Sequence, residues 1–201
     1  MTQSPHDMPG ELYDATSAAI GNHAHEILFG LAYAHLHPGE RVLDVGIGSG
    51  LAAELFHRAG LVVEGLDVSD GMLETCRGKH VAERLVVHDV GVRPWPFADA
   101  SFDHVVACGL LHFFRDLDPL LDEMARVVRP GGLVAFTEME RAPEAPTPMP
   151  VFVRSFGIVL STCRTHGLEV FKDVGFTTPS GPSGADRVGF HGYLARRAAH
   201  G

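Results

Sequence analysis

The chain has 201 residues, a formal net charge of −9, and 45% hydrophobic against 20% charged side chains. That is the size and apolar content of one packed domain, too weakly charged for disorder, and an acidic balance with no Lys/Arg run beyond Arg196-Arg197 speaks against a nucleic-acid partner. No apolar stretch approaches the roughly 18 residues of a membrane span, MTQSPHDMPG has no leader pattern, and Cys76, Cys108 and Cys163 form no CxxC, so the expectation is a reduced, cytoplasmic protein without a membrane partner.

In chain order, apolar residues at Ala19, Ile20, Ala24, Ile27, Leu31 and Leu36 predict one amphipathic helix over Asp14–Leu36, ended by Pro38-Gly39. The HxH pairs His23/His25 and His35/His37 lie on it, but positions i and i+2 diverge on a helix, so no metal site is expected. A strand at Arg41–Gly46 and a helix at Leu51–Ala59 open a βαβ unit; a strand at Leu61–Asp67, a helix capped by Ser69 and a strand at Arg84–His88 continue it. After a Pro-rich loop come a strand at Phe102–Cys108, a helix at Asp116–Val128 with Pro119 in its first turn, a Pro130-Gly131-Gly132 turn and a strand at Leu133–Glu138. Five strands separated by helix-length segments specify a parallel sheet covered on both faces.

Arg141–Pro150 holds four prolines and reads as an exposed connector or flap. Beyond it the pattern predicts helices at Val151–Cys163 and Gly167–Val174 and strands at Phe176–Thr178 and Gly189–Ala195. The organisation expected is a single domain: a helical cap over 1–40, a core over 41–139, and a connector with C-terminal helices and strands over 140–201.

Chemistry enters at the first strand-to-helix junction, Val42-Leu43-Asp44-Val45-Gly46-Ile47-Gly48-Ser49-Gly50. Glycines there let the backbone turn sharply and let a ligand reach main-chain amides at a helix N-terminus. The residue where a dinucleotide-binding fold places its third glycine is Leu51, which weakens an NAD reading. Asp44 ends a buried strand, where a carboxylate must order loop amides or meet a polar ligand. Asp67 closes the second strand about 20 residues after Gly46, the spacing of an acid that accepts hydrogen bonds from ribose hydroxyls, though it could instead cap the next helix.

With these residues the sequence resembles the class I S-adenosylmethionine-dependent methyltransferases from about Tyr13 to Gly175, in VLDVGIGSG, GLDVSDGML, HDV, FDHVVACGLLHFF and RVVRPGGLVAFTE. The small-molecule group with the quinone-pathway C-methyltransferases is nearest in character. The resemblance implies an α/β Rossmann-like sandwich: a mostly parallel seven-stranded sheet with an antiparallel C-terminal hairpin and helices on both faces. It implies S-adenosylmethionine as cofactor, with Gly46, Gly48 and Gly50 facing its methionine part and Asp67 its ribose. Val68 and Met72 would flank the adenine, Asp89 would take the adenine amino group with the Val90 amide beside it, and the Cys108 carbonyl would lie near the methionine amine. Tyr13-Asp14 resembles a pair that closes over the cofactor in relatives.

His112, just past the fourth strand, falls at the carboxyl edge where open α/β sheets bind ligands, and is the candidate general base. Phe113, Phe114 and Trp95 are candidate apolar walls for a flat acceptor. Nucleic-acid base methylation is disfavoured, since Ala107-Cys108-Gly109-Leu110 stands where such enzymes carry an Asp/Asn-Pro-Pro-aromatic segment. The expected function is methyl transfer to a small, partly apolar molecule; the alternatives are a non-catalytic cofactor-binding module of the same fold and a nucleotide-dependent oxidoreductase.

Overall fold

The computed structural model describes residues 9–143, 147, 149–180, 184 and 186–199. Helices α1 (Gly10–Ile20) and α2 (Ala24–Ala32) precede an alternating run of β1 (Arg41–Val45), α3 (Leu51–Arg58), β2 (Val62–Asp67), α4 (Asp70–Lys79) and β3 (Arg84–Val87). Then come β4 (Phe102–Ala107), α5 (Asp118–Val127), β5 (Val128–Arg141), α6 (Phe156–Thr165), β6 (Leu168–Ser180) and β7 (Asp186–Arg197). One seven-stranded sheet runs β3-β2-β1-β4-β5-β7-β6, parallel from β3 to β5 and antiparallel where β7 joins β5 and β6.

Alternation along each strand divides the core. Val42, Val63, Val106 and Ala135 face α2, α3 and α4, while Leu43, Leu66, Val105 and Phe136 face α5, α6 and Trp95. The chain order reverses at β1, whose neighbours β2 and β4 continue in opposite directions, so a crevice opens beyond the carboxyl ends of β1 and β4.

The structure corrects three sequence expectations. The predicted Asp14–Leu36 helix is two helices, because Gly21 takes a left-handed φ of 71° and its amide caps α1 on Ala18 and Ser17 carbonyls. The segment read as a helix over Gly167–Val174 is the first half of β6; pairing along β7 from Leu168↔Arg197 onward overrides local propensity, with a bulge between Val170 and Lys172. Pro130-Gly131-Gly132 is a bulge inside β5 between the Phe102↔Val128 and His104↔Leu133 pairs, and Gly132 packs so close that a Cβ there would lie 2.4 Å from the Asp103 carbonyl. Of the expected flap at Arg141–Pro150, residues 144–146 and 148 lie outside the described residues.

Candidate functional site

The Gly46–Gly50 turn is fastened to β2, with the Gly46 and Ile47 amides donating to the Leu66 carbonyl at 2.9 and 3.1 Å. Gly65 on β2 makes this possible, since a Cβ there would strike Ile47 at 2.4 Å. The three loop glycines have positive φ but different surroundings. A Cβ on Gly48 would meet nothing within 4 Å, so its face lies open to the crevice, whereas one on Gly50 would sit 2.8 Å from Cys76 Sγ. Gly50 therefore serves the close packing of the α3 start on α4 and does not line the crevice.

Asp67 holds both sides of this mouth. Its Oδ2 accepts from the Gly48 amide and its Oδ1 from the Ser69 amide, each at 2.9 Å. Each oxygen keeps a lone pair for a further donor. Its expected structural and ligand roles are thus compatible. Asp44, on the same face one strand over, is 2% exposed and its Oδ2 has no hydrogen-bond partner. Burial, with the Asp67 charge adding to it, pushes its carboxyl up to about 7.

Helix α1 covers the crevice. Asp14 accepts from Ser49 Oγ and lies 2.5 Å from Lys79 Nζ, joining α1 to the glycine turn and to α4. Tyr13 is 41% exposed as a residue, but it lines the cavity, and burial there followed by the neighbouring Cys108, Asp14 and Asp67 pushes its phenol up to about 12. It is a neutral hydrogen-bonding group at pH 7.

From this mouth a single cavity of about 420 Å³ runs along the carboxyl edge of the sheet. Asp44, Asp67, Gly46, Gly48, Met72, Cys108 and Tyr13 line one end. At the other end Phe113, Met139, Val151, Val188 and Phe190 form an apolar chamber. Asp44 and Asp67 are the only charged side chains among the described lining residues, apart from any charge on His25 or His112.

His112 sits in a 3-10 turn (Leu111–Phe113) on the chamber wall. It is 5% exposed, its Nδ1 has no partner, and its ring lies 4.1 Å from that of Phe113 and 5.4 Å from that of Phe190, centroid to centroid. Burial, assisted by Arg154, holds its pKa down at about 4, so the imidazole is neutral at physiological pH.

Of the sequence candidates, the structure gathers Tyr13, Asp44, Gly46, Gly48, Asp67, Met72, Cys108 and His112 around this cavity, with Phe113. Gly50, Val68, Asp89 and Val90 are not among its lining residues. Val68 is exposed, Asp89 Oδ1 accepts from the amide of Gly91 in its own loop at 2.8 Å, and the Val90 carbonyl accepts from the Trp95 indole at 3.0 Å. Trp95 and Phe114 pack in the core under α5 instead of walling the chamber. The histidine pairs separate: His23 meets Glu26, His25 lines the cavity, His35 packs edge-on against Phe171 and His37 meets Glu40. Among the described residues no cluster is arranged to hold a metal, and no helix is long and apolar enough to cross a membrane.

Sequence reasoning missed Ser17, which lines the cavity and whose Oγ is buried without a partner, and the chamber residues Met139, Val188 and Phe190. These come from elements separated by tens of residues, so no local motif announces them.

Residues 43–136 match the family model of the methyltransferase domain. A malonyl-[acyl-carrier protein] O-methyltransferase of Serratia marcescens is 34% identical over 127 residues, 63% of this chain and 48% of its own. A demethylmenaquinone methyltransferase of Renibacterium salmoninarum is 39% identical over 101 residues, 50% of this chain and 42% of its own. The chain thus spans about half the length of the curated relatives it matches. Among solved structures, a SAM-dependent methyltransferase from Methanosarcina mazei superposes with a TM-score of 0.69 at 17% identity, covering 83% of this chain and 96% of that one. The strand order, the glycine turn with its acid on β2 and the matched core agree: over residues 43–136 the chain is similar to the methyltransferase domain, and its fold is that of S-adenosylmethionine-dependent methyltransferases.

Proposed function

We propose that the protein transfers a methyl group from S-adenosylmethionine to a small, uncharged, largely apolar acceptor held in the Phe113–Met139–Val188–Phe190 chamber. The observation that carries this reading is the single cavity that joins the acidic glycine mouth to an apolar pocket, with His112 on the pocket wall. The mouth fits the cofactor. Gly48 leaves room for close approach, Asp67 retains lone pairs for ribose hydroxyls, and the orphaned Asp44 oxygen is a partner for the α-ammonium. Two carboxylates also suit a ligand bearing an ammonium and a sulfonium, whereas the phosphates of NAD would be repelled.

Once bound, the cofactor supplies an electrophilic methyl for in-line displacement, and the protein's tasks are alignment and exclusion of water. The chamber's apolar walls perform the second task. His112 lines the chamber as a neutral imidazole and is the side chain assigned to take an acceptor proton that becomes strongly acidic as the new bond to the methyl carbon forms. A base with a pKa near 4 is adequate for such a proton. Of the acceptors named in the relatives, a malonyl group carries a carboxylate, for which the described chamber has no Lys or Arg, whereas a demethylmenaquinone is uncharged and apolar. The lining favours an acceptor of the second chemical type.

Isothermal calorimetry tests the cofactor half of this reading: S-adenosylhomocysteine should bind and NAD should not. NAD binding without S-adenosylhomocysteine binding would overturn it.

A pH dependence follows from Asp44. The free carboxyl, raised to about 7, must be ionised to partner an ammonium, so below pH 7 ligand binding must first expel its proton. Affinity for S-adenosylhomocysteine should therefore rise with pH between 5.5 and 7, by at most about tenfold per unit, and level off above. Asp44→Asn should remove that slope; a slope unchanged in the variant would place the titrating group elsewhere.

A further inference from the structure

The segment that follows the Pro-rich connector crosses the chamber on its way to α6, and its backbone is tied to the walls it crosses. The Phe152 amide donates to the His112 carbonyl at 2.8 Å, and the Arg154 amide to the Met139 carbonyl at 3.4 Å. Val151, between Pro150 and Phe152, lines the cavity and packs with Met139, Val188 and Phe190. Residues 151–154 thus act as a strap whose two ends meet the His112 turn and β5.

The Arg154 side chain reinforces the same three pieces from behind. It is 9% exposed and pairs at 2.9 Å with Glu138, itself 1% exposed. The other arm of its guanidinium donates to the Phe114 carbonyl, directly after the His112 turn, and Nη1 also reaches the Phe152 carbonyl at 3.4 Å. A guanidinium is the one side chain whose rigid fork can serve a carboxylate and carbonyls on two separate segments at once. A pair needed only to neutralise Glu138 would not require the arginine to reach across to Phe114 and Phe152.

We infer that Arg154 is a positioning residue that pins the 151–154 strap, the His112 turn and β5 into one rigid wall of the acceptor chamber. The inference rests on the reading of His112 as the group facing the acceptor, but the pin itself is testable without any acceptor. It assigns specificity as well. Val151 packs on Met139, and the guanidinium adds to the two backbone bonds that hold the strap and the His112 turn together, so Arg154 helps to set the chamber's width although it does not line it.

The test compares Arg154→Met with Glu138→Gln by hydrogen exchange of the Phe152 amide, NMR titration of the His112 ring, and S-adenosylhomocysteine calorimetry. Glu138→Gln keeps an amide oxygen for Arg154 and leaves the arginine on its carbonyls, so Phe152 should stay protected. In Arg154→Met the Phe152 amide should exchange at least tenfold faster. The His112 ring should titrate above its wild-type midpoint, because both causes that hold it down weaken: the wall that buries it loosens and the neighbouring positive charge has gone. Ligand affinity should remain within threefold in both variants, since the cofactor mouth is untouched. If Arg154→Met fails to fold, Glu138→Leu/Arg154→Met replaces the buried pair with apolar groups, an exchange that is often neutral for stability, and should show the same loss of protection. Unchanged Phe152 protection in a folded variant lacking Arg154, or equal loss in Glu138→Gln, would show that the pair serves burial alone and overturn the inference. A loss of ligand binding in the wild-type protein would count against the proposed function and leave this comparison intact.

Discussion

Alanine at position 112 is expected to lower turnover about 100-fold while leaving S-adenosylhomocysteine affinity within threefold. The imidazole lies beside Phe113 and Phe190 on the acceptor side of the cavity, and its ring contacts among the described residues are with these two and not with the glycine turn or Asp67. General acid–base catalysis contributes typically 10² to 10⁴, and a base whose pKa is depressed to about 4 belongs at the lower end of that range. The sign of the pH dependence follows from the same depression. The neutral form accepts the proton, and it is fully present above about pH 5. At saturating cofactor the wild-type rate should therefore be level from pH 5.5 to 9 and fall only as the pH drops toward 4, whereas the residual rate of His112→Ala should climb with pH as the acceptor itself ionises. A wild-type rate rising through pH 6.5 would mean that His112 titrates as an ordinary exposed histidine, and a variant within a few-fold of wild type would leave alignment as the sole source of catalysis.

The second large effect is expected at Asp67. Removing the carboxylate takes away the hydrogen bonds it accepts from the Gly48 and Ser69 amides together with the bonds to ribose hydroxyls that the proposed function assigns to it. Bonds to a charged group contribute roughly 1.5 to 3 kcal/mol, so Asp67→Ala should weaken S-adenosylhomocysteine binding by about 10- to 150-fold. Gly48 lines the open crevice, where water can replace the acceptor its amide loses, and this limits the cost in stability. A melting temperature lower by about 3 to 6 °C is expected, as for a loss of about 1 to 2 kcal/mol in a chain of this size. Asp67→Asn should recover most of the stability, because its side-chain oxygen still accepts from one amide, but little of the affinity. A variant that melts earlier yet binds as tightly as wild type would make Asp67 a fastener of the glycine turn only.

What the sequence displays and what it conceals follow from how far apart the interacting residues lie. The glycine turn, Asp44, Asp67 and Met72 are legible because a strand–turn–helix joined to the next strand brings them together over about 30 residues, and each turn demands a residue type that stands out. The parallel half of the sheet is legible for the same reason, as helices or helix-length segments separate β1 to β5. The C-terminal half is not. Gly167–Val174 suits a helix as readily as a strand when read alone, and only pairing with β7, on a sheet whose other face is already in place, makes it β6. The break at Gly21 is hidden in an apolar pattern that continues across it, because both helices cover the same crevice. Asp89 satisfies its own loop, a role that its position two residues before Gly91 allows as readily as a ligand contact. The chamber and its pin are the least legible parts. Glu138 and Arg154 are 16 positions apart on either side of a proline-rich stretch, and their pairing appears only once β5 and the strap lie side by side.

The proposed reaction requires that a methyl group leave the cofactor and reappear on an uncharged apolar molecule. The most direct measurement incubates the protein with S-adenosylmethionine carrying a deuterated methyl group and with separate apolar and water-soluble cell extracts, then searches both by mass spectrometry for the labelled methyl. The expected result is a labelled product in the apolar extract, formed in step with S-adenosylhomocysteine and reduced about 100-fold by His112→Ala. Labelled product confined to anionic, water-soluble molecules would contradict the assignment of the chamber, and S-adenosylhomocysteine binding with no labelled product in either extract would contradict the assignment of methyl transfer itself.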